Sequence, residues 1–181
     1  EFPFILYAEP EYLQRPYYTP NDPKYSNQCS LEAVKADLAW DYWDIPNETP
    51  GDKNILLASV DTGVDYTHPD LIENIWVNQG EIPEWIFEID EIDSNQDGLL
   101  TAREISDFME TQSDLNGDGK SNFRDALTSG SPFVDGIDND GNGYVDDIIG
   151  WDASGEWGTP DNDPFPKDGA LKDSDWAHGT H

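Results

Sequence analysis

The chain has 181 residues, nine of them basic and 39 acidic, for a formal net charge of −30 at pH 7. That length suits one domain, 36% hydrophobic residues supply a core, and 12% aromatic residues argue against disorder. So anionic a surface repels phosphates and anionic lipids, which argues against nucleic acid and membrane surface as partners, and no apolar run approaches the roughly 20 residues that span a bilayer. Acid at this density points to multivalent cations.

Residues 1–28 are rich in Pro and Tyr, through Tyr7-Ala-Glu-Pro and Tyr18-Thr-Pro-Asn-Asp-Pro, and read as a strand end followed by an extended tether. The start lacks a basic stretch and a cleavage site, and the sole methionine is Met109, so the chain reads as part of a longer protein with any signal peptide upstream. Cys29 alone gives no internal disulfide and reads as a small buried hydrophobe. Ser30 is placed to cap a helix carrying Leu31, Val34, Leu38 and Trp40 or Trp43 at helical spacing. The apolar run Ile55 to Val60 predicts a strand buried on both faces, as in a parallel sheet, with Asp61 at its carboxyl end, where such sheets place their chemistry. The seven tryptophans are expected in the core and in cleft walls.

From Glu84 to Asp152 there are 18 acidic residues against Arg103, Lys120 and Arg124, a local net charge of −15. Much of this acid falls in three loops. The first, 93–104, offers oxygen at Asp93, Asn95, Asp97, the Leu99 carbonyl, Thr101 and Glu104, with Gly98 at the sixth position. A hard divalent cation takes six to eight oxygens, and glycine at position six permits the turn that folds the loop around it. Trp85, Ile89 and Ile92 before this loop and Ile105, Phe108 and Met109 after it fit flanking helices. The pattern resembles an EF-hand loop. The second loop, 114–125, repeats it with Asp114, Asn116, Asp118, Lys120 through its carbonyl, Asn122 and Asp125; the final aspartate resembles dockerin loops. One helix, about 102–112, is expected to leave the first loop and enter the second. The third, beginning at Asp138, supplies Asp140, Asn142 and the Tyr144 carbonyl, but Ile149 falls at position twelve, so a compact loop closed by Asp146 or Asp147 is expected. The cofactor these loops imply is calcium.

Two further blocks carry chemistry. Val60-Asp61-Thr-Gly-Val-Asp65-Tyr-Thr-His68-Pro-Asp70 lies mid-chain, and His178-Gly-Thr-His181 closes it. An acid that orients a histidine, which in turn deprotonates a serine, is the Asp–His–Ser arrangement, and Asp before His is one of its three known chain orders. A lone hydrophobic-Asp-Thr-Gly also marks aspartic proteases, but the second copy is missing and the histidine blocks would go unused. The three-residue spacing of His178 and His181 is compatible with a shared metal, yet no carboxylate motif accompanies them. His68 reads as structural in its turn.

In these two blocks the chain resembles the subtilisin-like serine proteases, and Tyr18-Thr-Pro-Asn-Asp-Pro with His68-Pro-Asp-Leu resembles the thermitase branch. Asn74-Ile-Trp-Val-Asn-Gln-Gly-Glu-Ile-Pro83 and the stretch 135–147 resemble bacterial members. The likeness covers about 18–83 and 135–181, with Tyr7-Ala-Glu-Pro similar to the end of an inhibitory propeptide. It implies an α/β fold, a doubly wound parallel sheet with a small helical calcium-binding insertion. Residues 1–28 would be propeptide end and linker, 29–83 the first part of the catalytic domain, 84–134 the insertion, and 135–181 the catalytic domain as far as the histidine block. The resemblance makes Asp61 the triad acid and His178 the general base, with Ala177 where glycine is more usual, and matches Asp22 and Asp70 to ligands of a structural calcium. It sets the nucleophilic serine and the oxyanion asparagine beyond His181, leaving these residues alone inert. It further implies polypeptide substrates, inhibition by the chain's own propeptide, a monomer, and a secreted or cell-envelope location. A calcium-dependent binding module, or an inactive relative, is the competing expectation.

Overall fold

The computed structural model describes residues 19–41, 51–154, 159–166 and 178–180. The expectations for 1–18, Trp43, Ala177 and His181 lie outside them. The chain forms two units, Glu1–Ile55 and Leu56–His181.

In the first unit a 3-10 turn, Tyr25–Asn27, leads into α1, Cys29–Ala33, and α2, Ala36–Trp40. The single helix expected after Ser30 is broken because Lys35 takes a left-handed φ of 57°. Gln28, not Ser30, stands at the N-cap of α1 and makes no side-chain cap bond. Val34, which ends α1, and Leu38, which follows the break, are both exposed. Cys29 is an exposed thiol rather than a buried one.

The run Ile55 to Val60 joins no strand among the described residues, and Leu57 and Val60 are 86% and 101% exposed. A strand needs a neighbour to take its N–H and C=O groups. Among the described residues the only ladder contact is an antiparallel bridge between Asp152 and Asp161. The parallel sheet therefore remains an expectation.

The second unit is held by loops and two short helices around one core. Helix α3, Ala102–Glu110, buries Ile105 and Met109, one turn apart, and begins with a capping box in which Thr101 and Glu104 satisfy each other's backbone N–H groups. It ends close to where the spacing of the two loops requires. Helix α4, Phe123–Ala126, starts with an equivalent box between Asn122 and Asp125. Before the first loop the chain forms a 3-10 turn, Glu84–Glu88, rather than an α-helix; Ile86 within it and Ile92 after it are buried. Tyr66 meets the Phe123 and Phe165 rings edge-on at 5.5 and 5.4 Å. The core thus draws on Tyr66, Ile72 and Ile148 as well as on Ile105, Phe123 and Phe133, so residues of the expected insertion and of its flanks share one interior. The four tryptophans among the described residues, Trp40, Trp76, Trp85 and Trp151, are all outside that core; Ile, Leu and Phe fill it instead. No helix of the described residues is long and apolar enough to cross a membrane.

Candidate functional site

The three acidic loops share one hydrogen-bond plan. At position one, Asp93, Asp114 and Asp138 each accept from the amide of the sixth residue, Gly98, Gly119 and Gly143, at 2.8–2.9 Å. At position three, Asn95, Asn116 and Asp140 accept from the fifth amide at 2.8–2.9 Å. At position five, Asp97, Asp118 and Asn142 accept from the seventh, that of Leu99, Lys120 and Tyr144. Positions four and six carry positive φ in all three, at Gln96, Gly117 and Gly141 and then at the three glycines. At position six φ is 82–98°, beyond the left-handed region that Gln96 occupies at 59°, and glycine takes such angles without strain, which accounts for the glycine at that position in all three loops.

The twelfth position completes the plan. Glu104 accepts from the amides of positions two, three and nine: Ser94 at 3.0 Å, Asn95 at 3.4 Å and Thr101 at 3.0 Å. Asp125 does the same for Leu115, Asn116 and Asn122 at 2.7, 3.2 and 2.8 Å. The third loop has Ile149 there, and its second, third and ninth amides, Asn139, Asp140 and Asp146, are bound by Glu81 at 3.0, 3.2 and 2.6 Å. Glu81 is fully buried and comes from 57 positions before the start of the loop. Of the two closers expected from sequence, Asp147 meets the loop through Asn142 at 3.0 Å. The Asp146 carboxylate turns the other way, onto the amides of Asp135 and Gly136. Oxygens of Glu81, Asp140 and Asp147 lie within 4.8 Å of one another, a grouping able to hold a metal ion.

Residues 78–81 serve two loops at once. Asn78 donates to Asp140 and Asp147 at 2.8 and 3.2 Å, and a Cβ on Gly80 would lie 2.9 Å from that of Asp140. Gln79 brackets Leu100 of the first loop, accepting from its N–H and donating to its C=O, both at 2.8 Å. Composition gave no hint of this hub; the Asn-Gln-Gly-Glu block was visible only as part of a family likeness.

Electrostatics separate the loops. Burial pushes Glu104 up, but the hydrogen bonds from Thr101, Ser94 and Asn95 outweigh it and hold the carboxyl below its usual range. At Glu81 burial wins over the amides of Asp146, Asp140 and Asn139, and its affinity for a proton rises; burial likewise raises Asp147 and Asp146. In the third loop burial, more than the neighbouring carboxylates, is what disfavours the charged forms of these acids.

The second constellation joins residues 117 positions apart: His178 Nδ1 lies 2.8 Å from Asp61 Oδ1. The His178 bond, then the Thr62 amide at 2.7 Å, draw the Asp61 carboxyl below its usual range. The turn His178–Thr180 is fastened by two further contacts after the histidine. Gly179 N–H donates to Thr62 Oγ1 at 3.2 Å, and the Thr180 hydroxyl accepts from the Asp65 amide at 2.9 Å. Gly179 presses on the Gly63 carbonyl, where a Cβ would collide, and a Cβ there would sit 3.0 Å from that of Asp61. His68 accepts from the Asp70 amide within its own turn, as a structural histidine does. Asp22 lies in the first unit, accepting from the Lys24 amide, and Asp70 in the second, largely exposed.

Three curated proteins are similar to parts of the chain. Halolysin from Haloferax mediterranei is 41% identical over 76 residues, 42% of this chain and 14% of that protein. The thermophilic serine proteinase from Bacillus sp. strain AK1 is 44% identical over 70 residues, 38% of this chain and 16% of that protein. The halolysin-like extracellular serine protease Nep from Natrialba magadii is 35% identical over 71 residues, 39% of this chain and 12% of that protein. The matched stretches thus span about a seventh of these relatives. No protein-family model matches the chain, and no solved structure does. The similarity supports a relationship to serine proteases, two of them halolysin-type.

Proposed function

We propose that these residues belong to a secreted, calcium-stabilised serine endopeptidase of the subtilisin type, acting on extended polypeptides. The observation that carries this reading is the Asp61–His178 contact, made across a long acidic detour and beside two threonine clamps. Asp61 holds the imidazole by Nδ1 and offsets the charge it gains; the other ring nitrogen, Nε2, takes the hydroxyl proton of a serine supplied by the rest of the protein as that oxygen attacks the scissile carbonyl. The same proton then passes to the leaving amine. Ile55 to Val60, apolar and uncovered, would be a strand of the sheet that the remainder completes, and residues 1–28 the end of an inhibitory propeptide and its linker.

The three loops fit calcium by donor chemistry, since positions one, three and five of each and the carboxylate that closes it all offer side-chain oxygen. Asp93, Asn95, Asp97 and Glu104 would hold one ion, and Asp114, Asn116, Asp118 and Asp125 a second. Asp138, Asp140, Asn142 and Asp147 with Glu81 would hold a third. Bound calcium supplies fixed positive charge among these carboxylates. A separable binding module is the weaker alternative, because the loops share their interior with Tyr66, Ile72 and Ile148.

A fluorophosphonate that labels activated serines is expected to label the complete protein and to fail after His178→Ala; equal labelling of both would reject the protease reading. Gly179→Ala is expected to push His178 off Asp61 and lower kcat about a hundredfold, the order that a 1 Å misplacement causes. Unchanged turnover in that variant would show that the glycine contact does not set the histidine.

A further inference from the structure

Arg124 sits inside the capping box that closes the second loop, its amide donating to Asn122 Oδ1 at 2.9 Å between the ninth and twelfth positions. Its guanidinium leaves the loop and reaches two carboxylates: Asp118, the fifth residue of the loop, at 3.6 Å, and Asp163 at 3.7 Å. It lies 3.9 Å above the Phe165 ring, and its Nε is buried without a hydrogen-bond partner among the described residues. Packing alone would not place an arginine there, since a buried unsatisfied N–H is unfavourable.

Asp163 is the other end of a short chain of contacts. Its carboxylate also accepts from the Tyr66 hydroxyl at 2.6 Å and from the Phe165 amide at 3.0 Å. The next residue, Pro164, takes the Val64 amide on its carbonyl at 3.0 Å. That carbonyl also lies 2.7 Å from where a Cβ on Gly63 would be, so the two backbones approach as closely as glycine permits. On its other side Gly63 touches Gly179, next to His178. From Arg124 to the Asp61–His178 pair there is thus no step without a direct contact.

We propose that Arg124 is a positioning residue that couples the second acidic loop to the Asp61–His178 pair through Asp163 and Pro164. The proposal rests on the calcium reading above for loop 114–125. With an ion held by Asp118 and Asp125, Arg124 would lose its share of Asp118 and turn to Asp163, and the first turn of α4, from which Arg124 projects, would be fixed. Both changes would tighten 163–166 against Gly63 and Val64, and by reciprocity that docking would favour the loaded loop.

The test is hydrogen–deuterium exchange on the intact protein, read on peptides covering 62–66, 114–125 and 163–166, with and without added calcium. In the unmodified protein calcium is expected to slow exchange in all three, at 62–66 by roughly fivefold or more, the lower range for coupled sites. In Arg124→Met, calcium is expected to slow 114–125 still but no longer 62–66 or 163–166. Arg124→Lys, which keeps the charge but not the planar fork, is expected to restore part of the effect and stands in if the methionine variant does not fold. Equal slowing at 62–66 in all forms would overturn the coupling while leaving the loop a calcium site. No slowing at 114–125 in any form would overturn the calcium reading and the coupling with it.

Discussion

Asp61→Asn in the complete protein is expected to lower kcat for peptide hydrolysis by about 10⁴-fold, the size of loss seen when the corresponding acid is replaced in serine proteases with this arrangement. Asparagine keeps the shape of Asp61, so the 2.8 Å contact to His178 Nδ1 can persist. It fails electronically. An amide nitrogen facing Nδ1 donates to it and forces the imidazole proton onto Nε2, the nitrogen that must accept from serine; an amide oxygen there supplies no charge to offset the imidazolium. Because His178 and the Thr62 amide hold the Asp61 carboxyl below its ordinary value of 3.8, Asp61 is charged wherever a histidine is neutral. The acid limb of the kcat/KM profile therefore belongs to the imidazole, and the stability that Asp61 contributes is present above 3.8 and lost as pH falls through its lowered value. A variant within tenfold of the parent would remove Asp61 from the triad.

The meeting of Asp61 and His178 was legible in the sequence because the two blocks that carry them follow a recognisable order, and the contact forms across 117 positions. The loops were legible for a related reason: oxygen at alternating positions with glycine at the sixth has few other uses, and Gly98, Gly119 and Gly143 all take the positive φ that the pattern requires. Glu81 was not legible, since closing a loop from 57 positions upstream leaves no local spacing to read. The break at Lys35 was hidden too, because residues 31–40 carry helical spacing throughout and a single left-handed residue does not disturb it. Ile55 to Val60 shows the limit of periodicity itself. An apolar run says that something should cover it, whereas strand pairing depends on partners elsewhere in the chain.

Chelation is expected to lower the melting temperature by about 10–20 °C. With free calcium a hundredfold above the dissociation constant, each independent site stabilises by about 2.7 kcal/mol, and a domain of this size moves by roughly 2–4 °C per kcal/mol. Two such sites suffice for that shift, and they amount to a large part of the 5–15 kcal/mol that typically holds a domain folded. The repulsion they relieve is built in, because 18 acidic residues face three basic ones between Glu84 and Asp152. Glu81→Gln separates the third loop from the other two. An amide has one oxygen, so it can satisfy either the Asn139 and Asp140 amides or the Asp146 amide but not both, and it brings no charge to the ion. Calcium titration of this variant is expected to show one ion fewer than the parent, whereas Glu104→Gln and Asp125→Asn should each remove a different one. A melt unmoved by chelator would dismiss calcium as a stabiliser, and undiminished binding in Glu81→Gln would return the third loop to closure by Asp147 alone.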